Sequence, residues 1–321
     1  MSHIRRHLII ILLLLIGLCQ CQVPDFPTTI PTPNPTETIP VVYPDYSRRI
    51  LFSSAGDLHI MHANGAGRQN LTPDTPSQET MPAWSPDGKY IAFVSDREEN
   101  EDVYIVSASA PGDEHLQINV SQHPAQDHSP AWDTTGLRLA FASNRDVNWS
   151  ICVLDIAMAT SEQEAPIMAG PMRYTHNTLY DGHPSWSSTG IIAFSRNEGY
   201  RWRIYQIDTN GATANIVPGT EGLSGALHPH WSPDGTKIAF SGVLNDNWDI
   251  YMINLLTNEL RQLTTHPDRD WWPRWSPDGQ YIVFTSERSG NGDIYLVHPE
   301  SWEEYRLTDN PEADLFPTWE P

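Results

Sequence analysis

Residues 84–93 read WSPDGKYIAF, and the phrase returns as WSPDGTKIAF at 231–240 and as WSPDGQYIVF at 275–284. Ser-Pro-Asp-Gly is a turn-forming run in which glycine takes the positive φ that other residues avoid, and the apolar residues behind it read as a strand. A strand, a tight corner and a second strand therefore recur. Weaker copies, WDTTGLRLAF at Trp132 and WSSTGIIAF at Trp186, fill the gap, and Trp319 ends the series. The six tryptophans (Trp84, Trp132, Trp186, Trp231, Trp275 and Trp319) are spaced by 48, 54, 45, 44 and 44 residues, a period that marks a repeat architecture.

Each copy continues with a third strand: DVYIV at Asp102, SICVL at Ser150, RIYQI at Arg203, DIYMI at Asp249 and DIYLV at Asp293. A fourth ends in Leu-Thr, as in QLT at Gln262 and RLT at Arg306. Four short antiparallel strands joined by tight corners make a propeller blade. The ends of the chain are complementary. The first copy has ILF from Ile50, DLHIM from Asp57 and NLT from Asn70 but no tryptophan strand, whereas LFPTW ending at Trp319 supplies only that strand. The expected fold is all-β, a six-bladed β-propeller of four-stranded antiparallel blades over 48–321, closed by the C-terminal strand joining the N-terminal blade. Proline stands two residues before every anchor, at Pro82, Pro130, Pro184, Pro229, Pro273 and Pro317. Because proline lacks an amide donor it tolerates only a strand with an unpaired side, which places the tryptophan strand innermost.

Composition narrows the function. The 321 residues include 40 acidic and 19 basic ones, for a net charge of −21. No basic stripe is available for phosphates, so nucleic acid and anionic membrane surfaces are excluded as partners, and cationic or metal-bridged ones fit better. Arg5 and Arg6 precede an apolar run over 8–18 that is too short to span a bilayer. Residues 1–21 thus read as an export or lipoprotein signal, and the protein as periplasmic or extracellular. Cys19 and Cys21 are lipidation candidates, although Leu18 and Gln20 stand where that motif carries a small residue; simple secretion and an uncleaved anchor are the alternatives. The Pro- and Thr-dense residues 22–47 read as an extended linker. Cys152, inside ICVLDI, reads as a buried strand residue and has no disulfide partner in the folded part.

The stretches PAWSPDGKYIAFVSDR followed by DVYIV, and PRWSPDGQYIVFTSER followed by DIYLV, resemble the TolB-type (WD40-like) β-propeller repeat. The resemblance covers about residues 48 to 321 and implies a six-bladed propeller, in agreement with the count of anchors. TolB itself carries an additional α/β domain ahead of its propeller; here a signal and a linker occupy that place, so the expectation is a TolB-like repeat protein without that domain. Similar repeats serve as gating domains of prolyl oligopeptidases and as exported scaffolds, so the fold does not choose a function.

Five residues before each anchor stand Glu79, Asp127, Asp181, Ala226, Asp270 and Asp314. The five acids would meet at the channel mouth, either accepting hydrogen bonds in the turn into their strand or holding a divalent cation. Trp149, Trp202 and Trp248 each precede a third strand on the same face, and Trp271 and Trp272 adjoin Asp270. Aromatics rimmed by charge suit protein or glycan recognition, while packing over neighbouring blades is the plainer role. Arg97, Arg145 and Arg288 follow strand-end serines, with Asp102 and Asp293 available as ion-pair partners in two of these blades. His128, His183, His228 and His230 adjoin the anchor strands, but without a fixed metal-ligand spacing. No GxSxG motif or Gly-rich phosphate loop occurs. The reading is a monomeric, non-catalytic scaffold that binds an envelope protein or glycan without a cofactor, touching membrane only through an N-terminal anchor. The alternative is a lyase or hydrolase using a cation at the channel mouth.

Overall fold

The computed structural model describes residues 47–73, 75–157, 167–168, 170–209, 213–244 and 246–321. The expected signal over 1–21, the expected linker up to residue 46, Cys19 and Cys21 lie outside the described residues.

The corner that repeats in sequence also repeats in hydrogen bonds. Ser85 Oγ donates to Asp87 Oδ1 at 2.7 Å and accepts from the Tyr90 amide at 3.0 Å, while the Gly88 amide reaches the Ser85 carbonyl at 2.9 Å with φ of 70°. Ser232, Asp234 and Gly235 repeat this set, as do Ser276, Asp278 and Gly279. Serine and aspartate thus satisfy the corner's backbone, and glycine supplies the left-handed turn. The Leu-Thr ending has its own cause. The hydroxyls of Thr72, Ser121, Thr175, Thr264 and Thr308 accept the third-strand amides of Leu58, Val103, Ile151, Ile250 and Ile294 at 2.9–3.0 Å.

The described strands form six sheets, with the tryptophan strand at one edge of each. These edge strands are Glu79–Trp84, Asp127–Trp132, Tyr180–Trp186, Gly225–Trp231, Asp270–Trp275 and Asp314–Trp319. Each touches the next around a complete circle, so they line the axis. We number the blades by their second strands, from Arg49–Ser54 in blade 1 to Ile282–Ser286 in blade 6. The ring closes within blade 1, where Asp314–Trp319 pairs antiparallel with Arg49–Ser54 and Ile50 faces Trp319. Arg49 Nε adds a 2.7 Å bond to Glu320 across this seam. In blade 3 the outer strand is split, with Ile167–Met168 and Met172–Arg173 both pairing with Asn148–Ala157.

Burial follows the two-residue period of the strands. In blade 2, Ile91 and Phe93 pack toward blade 1 while Ala92 packs toward blade 3. Six apolar clusters result, each shared by two adjacent blades, including one that joins Tyr281 and Val283 to Ile50, Phe52 and Trp319 across the seam. One fully buried phenylalanine per blade (Phe52, Phe93, Phe141, Phe194, Phe240 and Phe284) anchors these layers, each contributing roughly 1.5–3 kcal/mol. Cys152 is buried in the layer between blades 2 and 3.

The innermost strands share a distortion at the proline. Pairing with the second strand slips by one residue between Thr80 and Ala83, His128 and Ala131, Gly182 and Ser185, Leu227 and His230, and Trp271 and Arg274. The residue before each proline (Met81, Ser129, His183, His228, Trp272 and Phe316) has φ between 51° and 56°. Proline cannot donate to the ladder, so the strand bulges there, and five of these pre-proline residues (Met81, Ser129, His183, Trp272 and Phe316) line the axial cavity.

Candidate ligand-binding face

The five acids ahead of the anchors are fully buried, and each meets an arginine. Glu79 binds Arg97 at 2.5 Å, Asp127 binds Arg145 at 3.1 Å, Asp181 binds Arg196 at 2.7 Å, Asp270 binds Arg288 at 2.9 Å and Asp314 binds Arg68 at 2.9 Å. This corrects the pairing expected for Arg97 and Arg288, which reach back to the innermost strand. Asp102 instead accepts from Ser121 at 2.7 Å and Asp293 pairs with Arg306 at 2.8 Å. The cause lies in the strand-end serine: Ser95, Ser143 and Ser286 accept Nε of Arg97, Arg145 and Arg288 at 2.7–2.9 Å, which turns each guanidinium toward the acid. Each guanidinium also lies over the Phe93, Phe141 or Phe284 ring, at 5.4–5.7 Å from its centre.

The exceptions follow the same logic. In blade 4 Arg196 itself stands opposite Asp181, and in blade 1 a distant loop supplies Arg68, which also donates to Ser54. Blade 5 has Ala226 opposite Gly242, with Leu244 where blade 2 has Arg97, so acid, serine and arginine are absent together. Burial pushes the carboxyls of Glu79, Asp127 and Asp270 above their usual range, opposed by hydrogen bonds from hydroxyls and by their arginines. Burial, reinforced by Asp270, pushes Asp249 up to about 7. Among the described residues no group of three or more His, Cys, Asp or Glu side chains is placed to hold a metal ion.

The tryptophans are brought together. Trp149 and Trp248 lie within strands Asn148–Ala157 and Asn247–Asn254, and Trp202 opens Trp202–Asp208, so the third strands begin up to two residues earlier than their sequence suggests. Their indoles join a crescent of ring contacts around the mouth. His128 lies 4.3 Å from Trp149, Trp149 lies 5.2 Å from Tyr180, and Tyr180 lies 5.1 Å from Trp202. Trp202 continues to His183 at 6.3 Å, His183 to His228 at 4.5 Å, and His228 to Trp271 and Trp272 at 5.8 and 5.3 Å. Trp248 lies tilted against Trp271 at 4.7 Å, and Trp272 ends the crescent against Phe316 at 4.2 Å. All five tryptophans are half-buried, so packing and partial exposure coexist. Beside them, Val147 and Tyr200 at the tips of the preceding turns are almost fully exposed.

Tyr180, Phe316 and Met81 escaped the sequence reading. The first donates or accepts a 2.8 Å hydrogen bond at His128 Nε2. The other two occupy the pre-proline position, which with hindsight of the bulge is the one that faces the mouth. Desolvation draws His128 down to about 4 and His183 to about 3, and holds His228 and His230 well below 6.5, so the imidazoles are neutral at pH 7. Behind the mouth, the axial cavity has a volume of about 130 Å³.

A family profile described as TolB beta propeller domain matches residues 36–223 and 183–321. Tol-Pal system protein TolB of Francisella tularensis subsp. holarctica is 33% identical over 96 residues, which is 29% of this chain and 21% of that protein. The matched stretch thus spans about a fifth of the curated relative. The crystal structure of TolB from Acinetobacter baumannii superposes with a TM-score of 0.72 at 19% identity, covering 86% of this chain and 67% of that one. An oligogalacturonate lyase in complex with manganese superposes at 0.55 with 17% identity, covering 82% of this chain and 74% of that one. These structural likenesses concern the fold alone.

Arg145→Leu leaves the Asp127 carboxylate buried without its cation and is expected to cost about 3–5 kcal/mol. The double variant Asp127→Ala with Arg145→Leu, which copies blade 5, recovers most of that loss in urea unfolding. For His128, the folded pKa lies below the unfolded 6.5, so its contribution is present above 6.5 and is lost as pH falls toward 4. Between pH 7 and 4.5 the native chain should therefore lose on the order of 2–3 kcal/mol relative to His128→Phe, measured by urea unfolding at both pH values.

Proposed function

This chain belongs to the TolB β-propeller family, and we propose that it is an exported binding scaffold that captures an envelope protein on the crescent at its channel mouth. The observation that carries the reading is the continuity of the aromatic contacts from Trp149 to Phe316 across blades 3 to 6, ending on the blade-1 strand. Fixed, half-buried rings offer large contact area with little side-chain entropy left to lose, as interface anchors require. Val147 and Tyr200 extend this apolar surface outward. A protein partner suits this shape because the crescent covers only part of the ring, which gives the face a direction. The name of the curated relative, a Tol-Pal system protein, points the same way.

The channel-mouth acids enter this reading as supports. Glu79, Asp127, Asp181, Asp270 and Asp314 fix the ends of the innermost strands through their arginines, so that the crescent rests on a rigid ring. Lipid anchoring through Cys19 or Cys21 would hold the propeller at the membrane surface.

The test is photo-crosslinking in the native envelope followed by affinity measurement on the captured protein. Trp149→Ala, Trp202→Ala and Trp248→Ala should each weaken capture by about tenfold or more while the variants retain a cooperative melt. Capture unchanged in all three overturns the reading, and selective loss of binding on a glycan array would replace the protein by a sugar.

A further inference from the structure

The channel behind the crescent has a charge opposite to that of the chain. Among the described residues seventeen line the cavity and none is aspartate or glutamate, although the protein carries a net charge of −21. They do include Arg274, His183 and His230. Arg274 differs from the five arginines that hold the buried acids. Among the described residues no carboxylate pairs with it, and its one hydrogen bond runs from Nη1 to the Pro273 carbonyl at 3.0 Å. Burial alone draws this guanidinium down to about 10. Its positive charge helps to depress His183, His228 and His230, which places all three imidazoles in its field.

The neighbouring imidazoles add ring nitrogens to the lining. The Trp275 amide donates to His230 Nδ1 at 3.1 Å, so the neutral ring carries its proton on Nε2. His183 Nδ1 is buried with no partner. Ser185 and Thr318 add hydroxyls to the lining, while Met81, Phe316 and Ala83 make the other side apolar. Arg274 is half-buried and has no carboxylate beside it among the described residues, and a guanidinium fork is shaped for one.

We propose that this cavity is a carboxylate pocket, in which Arg274, with His230 and His183, receives an acidic side chain of the protein that covers the crescent. The inference rests on the proposed binding face and names the chemistry of its ligand. A volume of about 130 Å³ accepts a group the size of propionate, the tip of an aspartate or glutamate side chain. The partner's aromatic or apolar contacts would settle on the crescent while one acid enters the bore.

Propionate is the probe. Carboxyl-labelled [13C]propionate titrated into the full chain at constant ionic strength should show saturable binding by NMR and raise the melting temperature. Arg274→Met should weaken that binding at least tenfold and, without propionate, melt no lower than the native chain. Arg274→Lys, which keeps the charge but loses the fork, should fall between them and serves if Arg274→Met does not fold. Absence of saturable binding to the native chain, binding of equal strength in Arg274→Met or Arg274→Lys, or equal binding of chloride would each overturn the proposal. The titration needs no partner, so its failure leaves the tryptophan dependence of capture standing, and failure of capture leaves the titration standing.

Discussion

Each blade of this protein has two apolar faces, and a single sheet four strands wide cannot bury either by itself. Ile91 and Phe93 need the preceding blade, and Ala92 needs the following one. A linear stack of six would leave two outer faces in water, together with an unpaired edge. The chain meets the constraint by sharing blade 1 between its ends, so that the pairing of Asp314–Trp319 with Arg49–Ser54 creates the sixth interface as well as a sheet. Contacts 271 residues apart, such as Arg49 with Glu320, follow from that closure.

Closure also creates the site. Bringing six innermost strands onto one axis leaves their inner edges unpaired, which is where proline is tolerated and where the backbone bulges. All but His228 of the pre-proline residues line the cavity, and the chain varies this position freely: Met81 and Ser129 on one side, His183, His228, Trp272 and Phe316 on the other. The framework around them varies little. Five arginine–carboxylate pairs hold the strand ends, and blade 5 dispenses with the pair only by losing both partners. A charged network at the strand ends thus surrounds a ring of varied side chains at the centre.

Much of this was legible in the repeat. The spacing of tryptophan, Asp-Gly corner and Leu-Thr ending reveals blades, strand order and the shared blade, because each of those residues answers a local hydrogen-bond or φ requirement. The position of the acids at the strand ends was legible for the same reason. Their partners were not, since Arg97 lies five residues from Asp102 in sequence yet meets Glu79 through a serine relay that only the folded corner makes. Arg68 with Asp314 was further out of reach, 246 residues apart. The tryptophans could be assigned to one face, but their linkage through Tyr180 and the pre-proline histidines depends on the bulge, whose left-handed residues carry no glycine to announce it. For the same reason the place of Arg274 in the cavity lining stayed hidden inside the ordinary-looking PRW.

Native-state hydrogen exchange at the two ends of the chain tests the closed ring most directly. Amides of residues 50–54 and of residues 315–319 that enter the shared ladder should exchange only with global unfolding, as slowly as those of residues 91–94 in the middle of blade 2. Exchange of the terminal strand at the rate of a frayed end, orders of magnitude faster than blade 2, would contradict the account and remove the geometric basis of the mouth.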